Sequence, residues 1–280
     1  DQASTGQWSG QLHYHREAET AGWSGNLEVR DAQVVVPGFA GPLAIASARV
    51  GIDGSRLAVD RIAGRAGNIE FTGNYRYQPG TAHPHRLRLR AAEVDAADLE
   101  SELLPTLRRD PGLIARALGR NPVPDWMRQR RLVGSIQIAD LRLAETRLTN
   151  VRARLLWDVD RVDLVALAAR LDNGFIEGAL AVNLAGQGPT YKLTANLKGL
   201  TWQTGKLDAE GALETSGIGP QLLARLRLTG IALHTDDETY TGRGSVLEDG
   251  RLLLQLNGGG KEMRMTGTLA TLKLDTEPRP

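Results

Sequence analysis

Along the stretch "LAIASARVGIDGSRLAVDRIAG", which begins at Leu43, apolar and polar residues alternate, turn at Asp53 and Gly54, and alternate again. The stretch "LTNVRARLLWDVDRVDLVALAA", from Leu148, does the same about a hundred residues later. Alternation of this kind predicts half-buried β-strands, and an Asp-containing corner between two such runs predicts a hairpin. With Leu43 set against Leu148, an offset of 105, Val50 falls on Leu155, Ile52 on Trp157, Leu57 on Val162, Val59 on Leu164 and Ile62 on Leu167. Upstream the match resumes at an offset of 109, with "GNLEVRDAQV" from Gly25 against "GSIQIADLRL" from Gly134. In both, two alternating apolar residues (Leu27 and Val29; Ile136 and Ile138) precede an Asp, Asp31 or Asp140. The phase then slips by one residue, to Ala32 and Val34 or to Leu141 and Leu143. A slip in a period-two pattern is what an extra strand residue produces, so β-bulges are expected near Asp31 and Asp140.

Downstream, both units run into glycine-punctuated strands, "GNIEFTGNYRY" from Gly67 and "GFIEGALAVNL" from Gly174. A weaker third copy starts near "GSVLEDGRLLLQL" at Gly244, where Asp249 and Gly250 provide a hairpin signal. The expected fold is mainly β: curved antiparallel sheets of repeated meander units forming a hydrophobic groove. The first unit covers residues 1–94 and the second 132–280, with the third repeat near 235–275. One face of each unit is apolar, and the other is rich in Arg, Asp, Glu, Thr and Asn. A one-faced sheet cannot bury itself, so the repeats must stack or curl.

Between the units, residues 95–131 form a helical and Pro-rich insertion. Leu103 and Leu107 are four apart, as are Ile114 and Leu118, and Pro111 opens a new segment, so two short amphipathic helices are expected near 96–130. A Pro-rich turn with Trp126 and a basic tail of Arg128, Arg130 and Arg131 follow. The segment reads as a lid on a sheet edge, or as an interfacial segment touching lipid headgroups with Trp126 as anchor.

Composition narrows the chemistry. Apolar residues make up 41% of the 280 positions but aromatics only 5%, so aliphatic side chains carry the burial. A net charge of +1 provides no global field for nucleic acid, and no nucleic-acid partner is expected. The chain has no cysteine, which excludes disulfides and thiolate metal sites. No apolar run reaches the length of a membrane-spanning helix. The chain starts at Asp1 without a leader pattern and reads as a piece of a longer protein.

Candidate chemistry is sparse. His13 and His15 share one face of a strand, and His83 and His85 bracket Pro84 in a surface turn; neither pair makes a closed metal site, and no metal or cofactor is expected. The "GGGK" at Gly258–Lys261 lacks the Ser or Thr of a phosphate loop and reads as a flexible loop. The stretch "SGIGPQLLARL" from Ser216 reads as a short helix with Pro220 at its first position. The acidic Asp236, Asp237 and Glu238 read as a hairpin end, and "DVDRVD" at Asp158–Asp163 as the polar register of a corner. There is no nucleophile elbow, and the chain is not expected to be an enzyme.

The run "GSIQIADLRLAETRLTNVRARLLWDVDRVDLVALAARLDNGFIEGALAVNL", residues 134–184, resembles the C-terminal region of AsmA-like proteins. The shared shape is Gly-x-Ile-x-Ile, a second strand ending in Leu, "L-x-x-V-x-A-x-L", a hairpin, then "A-x-L-x-x-G-x-x-x-G-x-L". "YKLTANLKGLTW" and "GALETSGIGPQLLARL" continue in that style, as does Pro124-x-Trp126. The resemblance spans about residues 85–235 and is one of strands, with no active site to carry over. It implies the wider TamB-like and repeating β-groove bridge group: a trough with a hydrophobic floor, a Gram-negative periplasmic setting and an inner-membrane anchor outside this chain. It also implies a part in envelope lipid transport or outer-membrane biogenesis, with a phospholipid or other envelope lipid as partner. The residues expected to line the groove are Ile136, Ile138, Leu141, Leu143, Leu155, Trp157, Val162, Leu164, Leu167, Leu180 and Val182. The competing expectation is a structural or protein-interaction scaffold whose sheets close on their own core. The two differ in whether the apolar face meets a second protein layer.

Overall fold

The computed structural model describes residues 5–17, 20–36, 39–102, 130–143, 146–186, 188–202, 205–217, 226–235, 238–246, 251–267 and 273–277. The first six strands are β1 (Thr5–Glu17), β2 (Thr20–Val34), β3 (Leu43–Asp53), β4 (Arg56–Ala66), β5 (Ile69–Tyr77) and β6 (His85–Asp95), followed by helix α1 (Ala96–Glu102). Then come β7 (Arg131–Leu143), β8 (Thr146–Asp158), β9 (Arg161–Leu171), β10 (Gly174–Asn183), β11 (Thr190–Trp202) and β12 (Gly205–Ser216). The last five are β13 (Arg227–Thr235), β14 (Thr239–Val246), β15 (Leu252–Gly258), β16 (Lys261–Gly267) and β17 (Lys273–Glu277).

All the strands belong to one open, curved sheet, in which each pairs with its successor in the chain. Every pairing is antiparallel except β6 with β7, which is parallel. Antiparallel neighbours need only a tight turn, whereas a parallel pair needs a crossover. Residues 96–130 supply it, and the sheet is therefore two up-and-down meanders, β1–β6 and β7–β17, joined at one parallel seam. Helix α1 opens that crossover. Asp95 caps it through Oδ1, which accepts from Ala97 N at 2.8 Å. The helix is pinned to the sheet end by Ala40 N donating to Glu102 O (2.9 Å) and Asn68 Nδ2 donating to Asp98 Oδ1 (3.1 Å). The expected helical turns at Leu103, Leu107, Ile114 and Leu118 lie outside the described residues, as do Pro111, Trp126 and Arg128.

The repeat is present in the backbone. Gly54 and Val159, Arg61 and Ala166, and Gly67 and Asp172 are pairs 105 apart, and all six have positive φ, between 49° and 59°. The β3–β4 ladder shifts register around Ser47, and the β8–β9 ladder around Arg152, again 105 apart. The β4–β5 ladder gains one residue between Val59 and Ile62, and the β9–β10 ladder one between Leu164 and Leu167. The two hairpins thus share turns, bulges and pairing.

The phase slip after Asp31 and Asp140 is real: Leu27 and Val29 are half-buried, Arg30 and Asp31 exposed, and Ala32 buried. The expected bulge near Asp31 is present in the β1–β2 ladder, where three steps on β2 (Arg30 to Gln33) oppose two on β1 (Gln7 to Thr5) and Asp31 has φ of 50°; the one expected near Asp140 is not found. Pairing of β2 with β3 resumes after Asp31 in unchanged register, and pairing of β7 with β8 spans Asp140 without a shift. In the β2–β3 and β7–β8 ladders both strands slip phase at the same level, so no residue is left over within those two pairs. Further extra residues lie at Arg61 and Ala166, and on β8 between Thr149 and Arg152, where Asn150 has φ of 53°. The Asp249–Gly250 corner lies outside the described residues; β14 and β15 flank it, and β14–β15 and β15–β16 pair without register shifts. "GGGK" is a two-residue turn rather than a flexible loop. Gly258 pairs with Lys261, and Gly259 and Gly260 have φ of 56° and 73°, the sign that a type I′ hairpin turn requires at both positions.

Substantial contacts among the described residues run only between sheet neighbours, apart from α1 against β6 and β7. The accessible surface is 17946 Å². A compact monomer of 30.3 kDa exposes roughly 11,800 Å², so about half as much again is exposed here. A buried cluster lies at β13–β16, where Leu256 is fully buried among Ile231, Tyr240 and Met265.

Candidate functional site

Residues directly opposite each other in a ladder point to the same face, so the pairing register traces rows across the sheet. One row is unbroken from β2 to β16. Leu27 faces Val50, Val50 faces Val59, Val59 faces Tyr75 and Tyr75 faces Leu87. The parallel seam carries it to Gly134 and on to Leu155. Leu164, Leu180, Leu193 and Leu213 follow, then Leu228, Gly244, Leu254 and Met265. A second row nearer the β3–β4 corner runs through Ile52, Leu57, Tyr77, His85, Leu132, Trp157, Val162, Val182 and Tyr191.

Apart from Leu143, the residues expected in the groove fall on this face. Leu155, Leu164 and Leu180 sit in the first row, and Trp157, Val162 and Val182 in the second. Ile136 faces Ala153, Ile138 faces Val151, and Leu167 faces Gly178. Leu141 faces Leu148 beyond the phase slip, while the side chain of Leu143 lies outside what is described. The two faces of β8 differ as alternation requires: Val151 and Ala153 are each 8% exposed, whereas Arg152 and Arg154 are exposed. With no second layer among the described residues, this shielding comes from same-face neighbours on a curved sheet. The face is hollowed rather than flat, since Ala32, Ile45, Ala63, Gly64, Phe71 and Ala91 help to line a cavity of about 780 Å³. Toward the free edge it opens out, where Trp8 (67% exposed), Tyr14 and Trp23 carry it to β1. The rings of Tyr14 and Trp23 lie 5.1 Å apart.

Glycines keep the sheet tightly bent. A Cβ on Gly73 would stand 2.2 Å from Arg88 O, and one on Gly178, 105 residues on, 2.4 Å from Thr194 O. Each faces a bulky residue next to a bulge, Ile62 or Leu167. The bulges at Arg61 and Ala166 stand at one height: Asn74 beside the first leads through Arg88, Ser135 and Arg154 to Val165, next to Ala166. Gly230 on β13, φ 58°, continues the line by way of Thr194, Ala212 and Thr229.

The opposite face is polar and laced with exposed ion pairs, such as Glu28–Arg49 (3.4 Å) and Lys192–Glu214 (2.8 Å), which contribute little each. Asp140 also faces this side and is buried beneath Arg147, with which it forms an ion pair; its Oδ1 has no partner. The corner carboxylates are paired as well, Asp158 with Arg131 (3.5 Å) and Asp163 with Arg161 (2.7 Å). They therefore make no acid–base couple. His13 and His15 stand on β1 opposite Ser24 and Gly22, and no group of three or more metal-ligating side chains occurs among the described residues. Glu238 accepts a hydrogen bond from Tyr240, while Asp236, Asp237 and the segment 218–225 lie outside the described residues.

One polar cluster interrupts the apolar face. His85 is a strand residue, not part of a surface turn, and its Nδ1 lies 2.7 Å from Tyr75 Oη. Its ring also lies 5.1 Å from that of Tyr77. Burial, followed by the charge of Arg130, lowers the His85 pKa; burial raises that of Tyr75 and lowers that of Arg130. Alternation alone does not single out these residues. "NYRY" reads as any half-buried strand, and their meeting depends on the β5–β6–β7 register.

The chain matches no known protein family, no characterised protein and no solved structure.

Proposed function

We propose that this chain is a non-enzymatic β-groove module that holds lipid acyl chains along its apolar face, in envelope lipid transport or outer-membrane biogenesis. The observation that carries this reading is the mainly aliphatic row that crosses the sheet from β2 to β16 with no second protein layer against it among the described residues. Each buried methylene contributes about 0.8 kcal/mol, so a sixteen-carbon chain gains at most about 13 kcal/mol before entropy and incomplete enclosure are deducted. Such a face holds a chain without specific polar contacts, which suits the absence of a catalytic constellation among the described residues. The resemblance to AsmA-like proteins supports a periplasmic setting within a longer, inner-membrane-anchored protein, with a phospholipid or related lipid as partner.

The closed patch around Leu256 favours the scaffold reading for β13–β16, so the test compares the two regions. A photo-crosslinking residue at Leu164 should capture acyl lipid in cells, and one at Leu256 should not. Leu164→Asp should abolish the capture seen from a crosslinker at Leu155, because an unpaired charge desolvated against acyl chains costs several kcal/mol. Absence of lipid from the Leu164 adduct in a protein with an unchanged thermal transition would overturn the reading.

A further inference from the structure

The two ends of the sheet are finished differently. β17 is five residues long and three of the five are charged, which discourages another strand from pairing with it. β1 is thirteen residues long, and from Thr5 to His15 it carries no Lys, Arg, Asp, Glu or Pro. Among the described residues it pairs with β2 alone, so its outward N–H and C=O groups form an open template along its length. Trp8, Leu12 and Tyr14 share one face of β1, and register joins them to the apolar face of β2: Trp8 faces Val29, Gly10 faces Leu27 and Tyr14 faces Trp23. Trp8, Tyr14 and Trp23 are each more than half exposed.

A second copy of the same strand completes both the edge and the face. Gln11 is the middle residue of Thr5–Glu17, so an antiparallel pair of β1 strands with a twofold axis at Gln11 uses the whole strand. That register sets Trp8 opposite Tyr14 of the second copy and Gly10 opposite its Leu12. A Cβ on Gly10 would stand 2.2 Å from Asn26 O, and the gap this glycine leaves in the apolar row is what the opposing leucine fills. On the polar face Ser9 meets His13, Gln7 meets His15, and on the other Gly6 meets Arg16, so no like charges are opposed. The exposed parts of the three rings come to roughly 300–400 Å² in each copy, so rings alone bring about half of the ~1,200 Å² that a specific interface needs. We propose that the chain pairs with a second copy of itself, β1 against β1 about a twofold axis at Gln11, so that two sheets become one. The pairing holds whether or not the joined apolar face carries acyl chains.

The test uses the whole chain in solution. Sedimentation should show a species of twice the 30.3 kDa chain mass that dissociates to the monomer on dilution. Protection of the β1 amides should rise as the dimer forms. Trp8→Lys should raise the dissociation constant at least about thirtyfold, as loss of an aromatic anchor does, while Phe175→Lys, at an exposed ring on β10, should leave it within about twofold. Should Trp8→Lys fail to fold, cysteine placement carries the test, since the chain has no cysteine of its own. Gln11→Cys should close a disulfide between copies under mild oxidation, because directly facing Cα atoms stand about 4.5–5.5 Å apart. His15→Cys should not, its two copies lying roughly 26 Å apart along the strands. Ser9→Cys mixed with His13→Cys should join the two variants to each other in preference to themselves. A monomeric mass throughout, or equal cross-linking from Gln11→Cys and His15→Cys, overturns the pairing. A mass that climbs past two copies overturns the twofold and assigns the edge to head-to-tail stacking on β17. A monomer that floats with phosphatidylglycerol vesicles until Trp8 and Trp23 are replaced overturns it too and assigns the edge to a bilayer surface.

Discussion

Ala166 adopts φ of 51° and Arg61 φ of 53°, in the left-handed region where glycine sits at no steric cost. An L-residue there costs roughly 1–2 kcal/mol, against the roughly 0.5–1 kcal/mol of extra chain entropy that glycine loses on folding. Ala166→Gly should therefore be neutral or raise stability by up to ~1 kcal/mol. The same exchange at buried Ala153 should cost about 1–2 kcal/mol. Gly178→Ala, whose new methyl meets a backbone carbonyl, should cost about 1–3 kcal/mol. Urea midpoints rank the three, and a destabilised Ala166→Gly would refute the assigned backbone. These positions also show where the sequence is silent. An arginine and an alanine carry no mark of a left-handed conformation, so the bulges at Arg61 and Ala166 could not be read from residue type. The polarity slip beside Asp31 did mark an extra residue, set against β1, whereas the slip beside Asp140 marked none. A slip shared by two paired strands looks, in one strand's sequence, the same as an extra residue.

At the scale of strands, alternation was enough to place β3, β4, β8 and β9, and the Asp corners were enough to join them into hairpins. The inward set on β8 follows from the same period, which is why the placement of Leu155 and Trp157 on one face was legible. The direction of β7 relative to β6 was not. Nothing in either strand encodes a parallel ladder, and it is that ladder which brings Leu132 beside His85. Pro84 hid His85 by making its neighbourhood look like a turn. Each strand here leans on two neighbours, except β1 and β17, which lean on one. Hydrogen exchange on the monomer should consequently find the strongest amide protection in β8 and β9 and the weakest in β1 and in the five-residue β17. Equal protection across the sheet would mean that it opens as one unit.

For the molecule as a whole, seventeen strands spaced by about 4.8 Å would span roughly 77 Å if laid flat. A compact domain of 280 residues has a radius of gyration near ~19 Å. Small-angle scattering of the chain should give a clearly larger value, and one at ~19 Å would mean that the sheet folds back on itself and covers its apolar face. The unbroken offset of 105 from β3 to β5 and β8 to β10 has a consequence for heredity. Gly54 and Val159 occupy the same corner, so unequal exchange between the two gene segments that encode them would join the strand before one corner to the strand after the other. The resulting hairpin would keep its turn, its bulge and its facing residues, and only the number of strands would change. The length of the apolar face is thus a quantity that recombination can raise or lower in whole steps, with no new contact to be invented.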